Sequence, residues 1–254
     1  MGMKFLINLI YWERPNTVQN ALRSIRDMHY DNWELVFLDD GSTKPGEPIV
    51  REILKDHLDK IKFINTHQTN EDKAANLSNF GRFMNEAILA SDADAVITVC
   101  DDDGIVSNAL SNLDKWFTEH PKDMWTWCHV IEYNPETEVV GDHLLNRTTN
   151  WHNRSNTAVR PDGWLDCSQV IFRREILNGP NAPAVKVEED CMWQWPQTSC
   201  LDAGLFYRVW RKYGDVPFSG FLGQFKAVFP DQLGKREVRG EVRGKLPLDI
   251  VPTP

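Results

Sequence analysis

Three consecutive aspartates, Asp101, Asp102 and Asp103, follow the apolar run Ala95–Cys100. Adjacent carboxylates repel one another unless a cation sits among them. Hard divalent ions such as Mg²⁺ or Mn²⁺ take oxygen ligands and bridge to phosphate oxygens. The triplet therefore points to a metal that offsets charge on a departing diphosphate. A second acidic cluster, Asp39-Asp40-Gly41-Ser42, follows the stretch Glu34–Leu38. A carboxylate is an acceptor only, so it can take the ring N–H of a uracil or the hydroxyls of a ribose. A solvated acidic loop is the plainer alternative for the first cluster. A turn or helix cap, which Asp-Gly-Ser also serves, is the plainer alternative for the second.

The elements around these clusters raise their weight. Lys4–Ile10 is a continuous apolar run, as in a strand buried on both faces. Asn16 is placed to cap a helix carrying Val18, Leu22, Ile25 and Met28 on one face. Glu34–Leu38 reads as a second strand, Ile49–Leu58 as a helix and Ile61–Asn65 as a third strand. Leu77–Leu89 has helical spacing, Ala95–Cys100 is a fourth strand, and another helix runs near Ala109–Glu119. This alternation implies an α/β fold with a parallel, right-handed, doubly wound sheet. Ligands of such sheets bind outside the C-terminal strand ends, where both acidic clusters fall.

The rest of the chain is organised differently. Met124–Tyr133 and Cys167–Phe172 read as strands, and Asp202–Lys212 as a helix. The segment Asn146–Pro161 is polar and irregular, and from Pro230 glycine, proline and charge dominate. The expected organisation is one domain over 1–229, divided at about residue 120, followed by a surface arm over 230–254.

In this order, Leu6–Arg14, Glu34–Thr43, Arg82–Asn85, Val99–Asp103 and Asp202–Arg208 resemble the family 2 glycosyltransferases of GT-A fold. Asp202–Val209 and Leu165–Ser168 are similar to its spore-coat polysaccharide members. The resemblance implies a Rossmann-like nucleotide-binding half (1–120) with a mixed sheet, and an acceptor-binding half (121–229). It implies metal-dependent, inverting transfer of a hexose from a nucleotide diphosphate sugar, a UDP-sugar by preference, to a hydroxyl acceptor such as a glycan. By the same likeness Tyr11 and Asp40 contact the nucleoside base, and Arg14 and Asp39 belong to the nucleotide-binding set. Arg82 and Asn85 lie near the pyrophosphate or ribose. Asp101 to Asp103 form the Asp-x-Asp metal motif for Mn²⁺ or Mg²⁺, with Asp103 and Asp101 as metal ligands and Asp101 and Asp102 also near the nucleotide.

Inverting transfer needs a base on the face opposite the diphosphate, separate from the metal carboxylates. Asp202, at the start of a helix with Leu205, Phe206, Val209 and Trp210 inward, is the first candidate. Asp190, in Glu188-Glu189-Asp190, is its rival. An ordinary helix N-cap would also explain Asp202. Trp164, Asp166, Ser168 and Gln169 are candidates for holding acceptor hydroxyls. Trp151, Trp193 and Trp195 could stack on sugar rings or pack in a core.

Composition narrows the field further. The net charge of −9 and a single basic cluster, Lys235–Lys245, argue against nucleic acid as the main partner. Five cysteines without a Cys-x-x-Cys pair suit a reduced, cytoplasmic protein. No run approaches the ~18 apolar residues of a membrane span, and the N-terminus reads as a first strand rather than a signal peptide. A nucleotidyltransferase usually opens with a glycine-rich loop, whereas Tyr11–Pro15 has no glycine. A non-catalytic nucleotide- or carbohydrate-binding module of the same fold remains the other alternative.

Overall fold

The computed structural model describes residues 2–69, 79–134, 139–141, 165, 167–178 and 201–227. The elements in chain order are β1 (Phe5–Tyr11), α1 (Val18–Arg26), β2 (Trp33–Asp39), α2 (Glu47–Ile53), a 3₁₀ turn (Lys55–Lys60) and β3 (Ile61–Asn65). Then come α3 (Asn79–Ala90), β4 (Ala95–Cys100), β5 (Asp103–Ile105), α4 (Ala109–Glu119), β6 (Trp125–Asn134) and β7 (Val139–Gly141). A 3₁₀ turn (Cys167–Gln169) precedes β8 (Val170–Arg173), α5 (Glu175–Asn178), α6 (Leu201–Tyr213) and β9 (Phe218–Ala227).

The strands form one mixed sheet in the order β3-β2-β1-β4-β8-β6-β9-β5, with β7 on β6. The first four neighbours run parallel, and Phe5 of β1 pairs with Trp33 of β2 and Ala95 of β4. Side chains along β1 alternate between two cores. Phe5, Ile7, Leu9 and Tyr11 pack with Val18, Leu22 and Ile25 of α1 and Leu110, Leu113 and Phe117 of α4. Leu6 faces the other way, toward Met84, Ala87 and Ile88 of α3 and Leu205, Phe206 and Val209 of α6. A strand buried on both faces reads as a continuous apolar run, which is why β1, β2 and β4 are legible in the sequence.

Beyond β4 the pairing changes. β4 and β6 each pair antiparallel with β8, while β9 runs parallel to β6 and antiparallel to β5. The strands β5, β7 and β9 were not expected from the sequence. Residues Cys167 to Gln169, expected in a strand, form a 3₁₀ turn, and the strand itself starts at Val170. The single helix expected over Ile49–Leu58 is two pieces. Pro48 starts α2 early, Leu54 (φ −104°, ψ 28°) ends it, and His57 (φ −130°, ψ 17°) kinks the 3₁₀ turn that follows. Asn16 does not cap α1. Thr17 holds the N-cap position with helical dihedrals and without a side-chain cap, because the chain already turns there with the Val18 N–H donating to the Arg14 carbonyl at 3.2 Å. Asp202 lies inside the first turn of α6 rather than before it. Among the described residues no helix is long and apolar enough to cross a membrane.

Candidate active site

The C-terminal ends of β1, β2 and β4 lie side by side, since Tyr11 pairs with Asp39 and Ile10 with Cys100. The loops leaving these ends carry the acidic clusters, and each loop has its own internal support.

At the end of β2, Asp39 is 4% exposed and uses both carboxylate oxygens on its own loop. Oδ1 accepts the Ser42 N–H at 2.8 Å and Oδ2 the Gly46 N–H at 3.1 Å. The turn role is therefore the one that the geometry of Asp39 matches. Asp40 is half-buried; its N–H donates to the Tyr11 carbonyl at 3.0 Å, and its Oδ1 accepts the Thr66 hydroxyl at 3.0 Å. Tyr11 itself is fully buried, stacks on Phe37 at 5.6 Å and donates its hydroxyl to the Lys44 carbonyl at 2.6 Å. Burial first, and then the charge of Asp39, pushes its phenol up to about 12. Its ring packs in the apolar core beneath the loop.

At the end of β4 the three aspartates are all buried, Asp103 at 1% exposure. They divide between two tasks. Asp101 Oδ2 accepts the Trp12 N–H at 3.0 Å, and Oδ1 accepts from Arg14 Nη1 at 2.9 Å. The same guanidinium nitrogen is 3.1 Å from Asp102 Oδ2. Burial raises the Asp101 carboxyl to about 6, opposed by the charge of Arg14 and the Trp12 N–H. Burial works against the Arg14 charge too, yet Asp101 and Asp102 together raise its pKa.

Donor atoms of Asp102, Asp103 and Cys100 lie within 4.8 Å of one another. Two adjacent carboxylates where β4 passes into β5 suit a hard divalent cation. The residues present thus fit Mg²⁺ or Mn²⁺, with Asp103 grouped with Asp102 and Cys100 rather than with Asp101. Behind them Cys100 Sγ is 3.8 Å from Cys167 Sγ, a contact that with burial holds the Cys100 thiol well above its ordinary range. The sheet brings a base to the same place, since Asp103 of β5 pairs in register with Lys226 of β9.

The other expected residues sit on other elements. Asn85 is 1% exposed in the interface of α3, and Arg82 lies earlier on that helix. Ser168 and Gln169 are buried at 0% and 3%, and Gln169 Nε2 donates to the Cys128 carbonyl at 3.3 Å. They lie in the 3₁₀ turn whose Cys167 touches Cys100 behind the acidic cluster. Trp151, Trp164, Asp166, Asp190, Trp193 and Trp195 lie outside the described residues. Asp202 sits on the first turn of α6, whose Leu205, Phe206 and Val209 are buried as the sequence spacing implied. Sequence reasoning missed Trp12, 45% exposed at the mouth of the site, and Glu13 beside it. Their position between Tyr11 and Arg14 was the available signal. A cavity of about 400 Å³ lined by Lys4, Glu34 and Asp92 lies at the opposite, N-terminal strand ends and contains none of these groups.

Residues 7–178 match glycosyl transferase family 2. The chain belongs to that family. This family 2 chain is 24% identical over 183 residues to Protein CgeD of Bacillus subtilis (strain 168), a match covering 70% of this chain and 40% of CgeD. It thus spans well under half the length of that relative. Among solved structures it is similar to S. aureus TarS 1-349 in complex with UDP, with TM-score 0.64 and 18% identity, over 90% of this chain and 61% of that one. It is also similar to the mannosyltransferase PcManGT from Pyrobaculum calidifontis in complex with GDP-Man and Mn²⁺. There the TM-score is 0.61 at 15% identity, over 94% of this chain and 60% of the other. The architecture shared with these structures is the GT-A fold, the mixed α/β arrangement expected from the sequence.

Proposed function

We propose that this family 2 chain is a metal-dependent, inverting glycosyltransferase that moves a hexose from a nucleotide diphosphate sugar to a hydroxyl acceptor. The observation that carries this is the placement of Asp102, Asp103 and Cys100 within 4.8 Å of one another at the C-terminal strand ends. Similar structures hold UDP in one case and GDP-Man with Mn²⁺ in the other, which supports a nucleotide-sugar donor. A UDP-sugar is the preferred donor, because Asp40 is a half-buried acceptor suited to a uracil N–H or a ribose hydroxyl. The exposed Trp12 indole offers that base a flat apolar wall.

Asp103 and Asp102 would hold Mn²⁺ or Mg²⁺, which as a Lewis acid offsets the charge on the leaving diphosphate. Arg14 keeps Asp101 charged and fixed beside it. Asp202 takes the proton of the acceptor hydroxyl as that oxygen bonds to the anomeric carbon. The bond from that carbon to the diphosphate breaks, and its electron pair leaves with the diphosphate. Attack from the opposite face inverts the anomeric centre. Asp190 is the alternative base. Trp164, Asp166, Ser168 and Gln169 are the candidates for acceptor contacts, and a glycan is the acceptor class we favour. With no membrane-crossing helix among the described residues and the cysteine usage noted above, we place the reaction in the cytoplasm.

A calorimetric titration with UDP, with and without Mn²⁺, followed by a screen of nucleotide sugars for metal-dependent hydrolysis, tests the proposal. Metal-dependent binding with donor turnover is the expected result. Binding without turnover of any donor would leave only a binding module.

A further inference from the structure

Glu13 stands between Trp12 and Arg14, the two residues that engage Asp101, and its backbone is left-handed at φ 56°. That region favours glycine, and asparagine or aspartate after it, so a glutamate there is held against its own preference. What the position gains is a two-pronged acceptor. Glu13 Oε1 accepts the Thr43 N–H at 2.5 Å and Oε2 the Thr43 hydroxyl at 3.0 Å. The Glu13 N–H donates to Ser42 Oγ at 3.1 Å. From the other side Asp39 accepts the N–H groups of Ser42 and Gly46, and Tyr11 donates to the Lys44 carbonyl. The loop 42–46 is thus gripped by two carboxylates, one from the loop after β1 and one from the end of β2. The backbone hydrogen bond from Thr43 is the main cause lowering the Glu13 pKa, so the acceptor is charged at neutral pH.

We infer that Glu13 is a positioning residue of the donor site, clamping the loop after β1 to the loop after β2 so that Trp12 and Arg14 stay aligned on Asp101. This rests on the nucleotide-sugar reading above. The clamp acts before chemistry, so its loss weakens donor binding and leaves the chemical step alone.

The test compares Glu13→Ala, Glu13→Gly and Glu13→Gln in the full chain. It uses UDP affinity with Mn²⁺, donor KM and kcat, urea midpoint, and amide exchange at Trp12 and Thr43. Losing charge-assisted hydrogen bonds is expected to raise UDP Kd and donor KM about tenfold or more in the alanine and glycine variants, with kcat unchanged. Glu13→Gln is expected to recover most of this, since its carbonyl accepts the Thr43 N–H and its amide donates to the Thr43 hydroxyl. Wild-type KM in Glu13→Gly would overturn the inference, because only the backbone shape would then matter. A lowered urea midpoint with unchanged KM and Kd would overturn it too, leaving a structural role alone. Should the wild-type chain fail to bind UDP, the donor reading falls, and amide exchange decides the clamp separately. Protection lost in Glu13→Ala and kept in Glu13→Gln upholds the clamp; unchanged protection in both removes it.

Discussion

The Arg14 guanidinium lies 2.9 Å from Asp101 Oδ1 and, through the same nitrogen, 3.1 Å from Asp102 Oδ2. It sets a positive charge among buried carboxylates that would otherwise repel one another. Arg14→Ala is expected to lower stability by about 1–2 kcal/mol, less than for a fully buried pair because the Arg14 side chain keeps 39% exposure. Mn²⁺ is expected to restore part of the loss by supplying positive charge in the same cluster. Urea midpoints with and without Mn²⁺ check both statements.

Asp103 is the most buried member of the cation cluster. Asp103→Asn is expected to abolish the Mn²⁺-dependent gain in UDP affinity, as EDTA does for the unmodified chain. Donor turnover should fall on the order of 10²-fold or more, the rate equivalent of several kcal/mol of charge stabilisation. A variant that still shows manganese-dependent heat on UDP titration would remove Asp103 from the ligand set.

Asp202 sits on α6, a different element from the loop that carries the metal carboxylates. Asp202→Asn is expected to cut transfer by roughly 10²–10⁴-fold, the usual contribution of a general base, with UDP affinity unchanged. Asp190→Asn, measured beside it, decides between the two candidates. Full turnover in Asp202→Asn rejects its assignment.

Gly41 has φ 67°, and a Cβ placed there would lie 2.1 Å from the Gln68 carbonyl oxygen. Backbone strain and collision act together, so Gly41→Ala is expected to cost about 2 kcal/mol or more of stability. Thermal unfolding would show this as a lowered Tm, and UDP affinity should weaken with it as the loop that carries Asp40 shifts.

His129 of β6 packs edge-on against Phe218 at 4.5 Å and Trp127 at 5.7 Å, and burial lowers its pKa below the ordinary 6.5. Its neutral form is favoured in the fold, so the stability it supports is complete above pH 6.5 and declines as pH falls below that toward the folded pKa. His129→Gln is expected to flatten the stability curve between about pH 7 and 5. Urea unfolding across that range reads the slope directly.

In the parallel half of the sheet β1, β2 and β4 were legible because they are buried on both faces and so read as largely apolar runs. The limits expected for β3, β4 and α4 coincide with those observed. The strand β9 was not legible. It carries Gly220 and Gly223, shows no clean alternation, and pairs with β6 residues nearly a hundred positions earlier. Gly223 is needed because a Cβ there would lie 2.2 Å from Cys128 Sγ, a contact that only the folded sheet creates.

By itself the amino-acid order determined that two acidic clusters end parallel strands, and so which side of the sheet carries the chemistry. That much is local, since periodicity and turn residues report on the next few positions along the chain. Which carboxylate does what was decided by tertiary structure. Packing sent Asp39 into its own turn, paired Asp101 with Arg14, and put Tyr11, Ser168 and Gln169 in the interior. A side chain's exposure and hydrogen-bond partners depend on residues distant in sequence, and no local pattern encodes those.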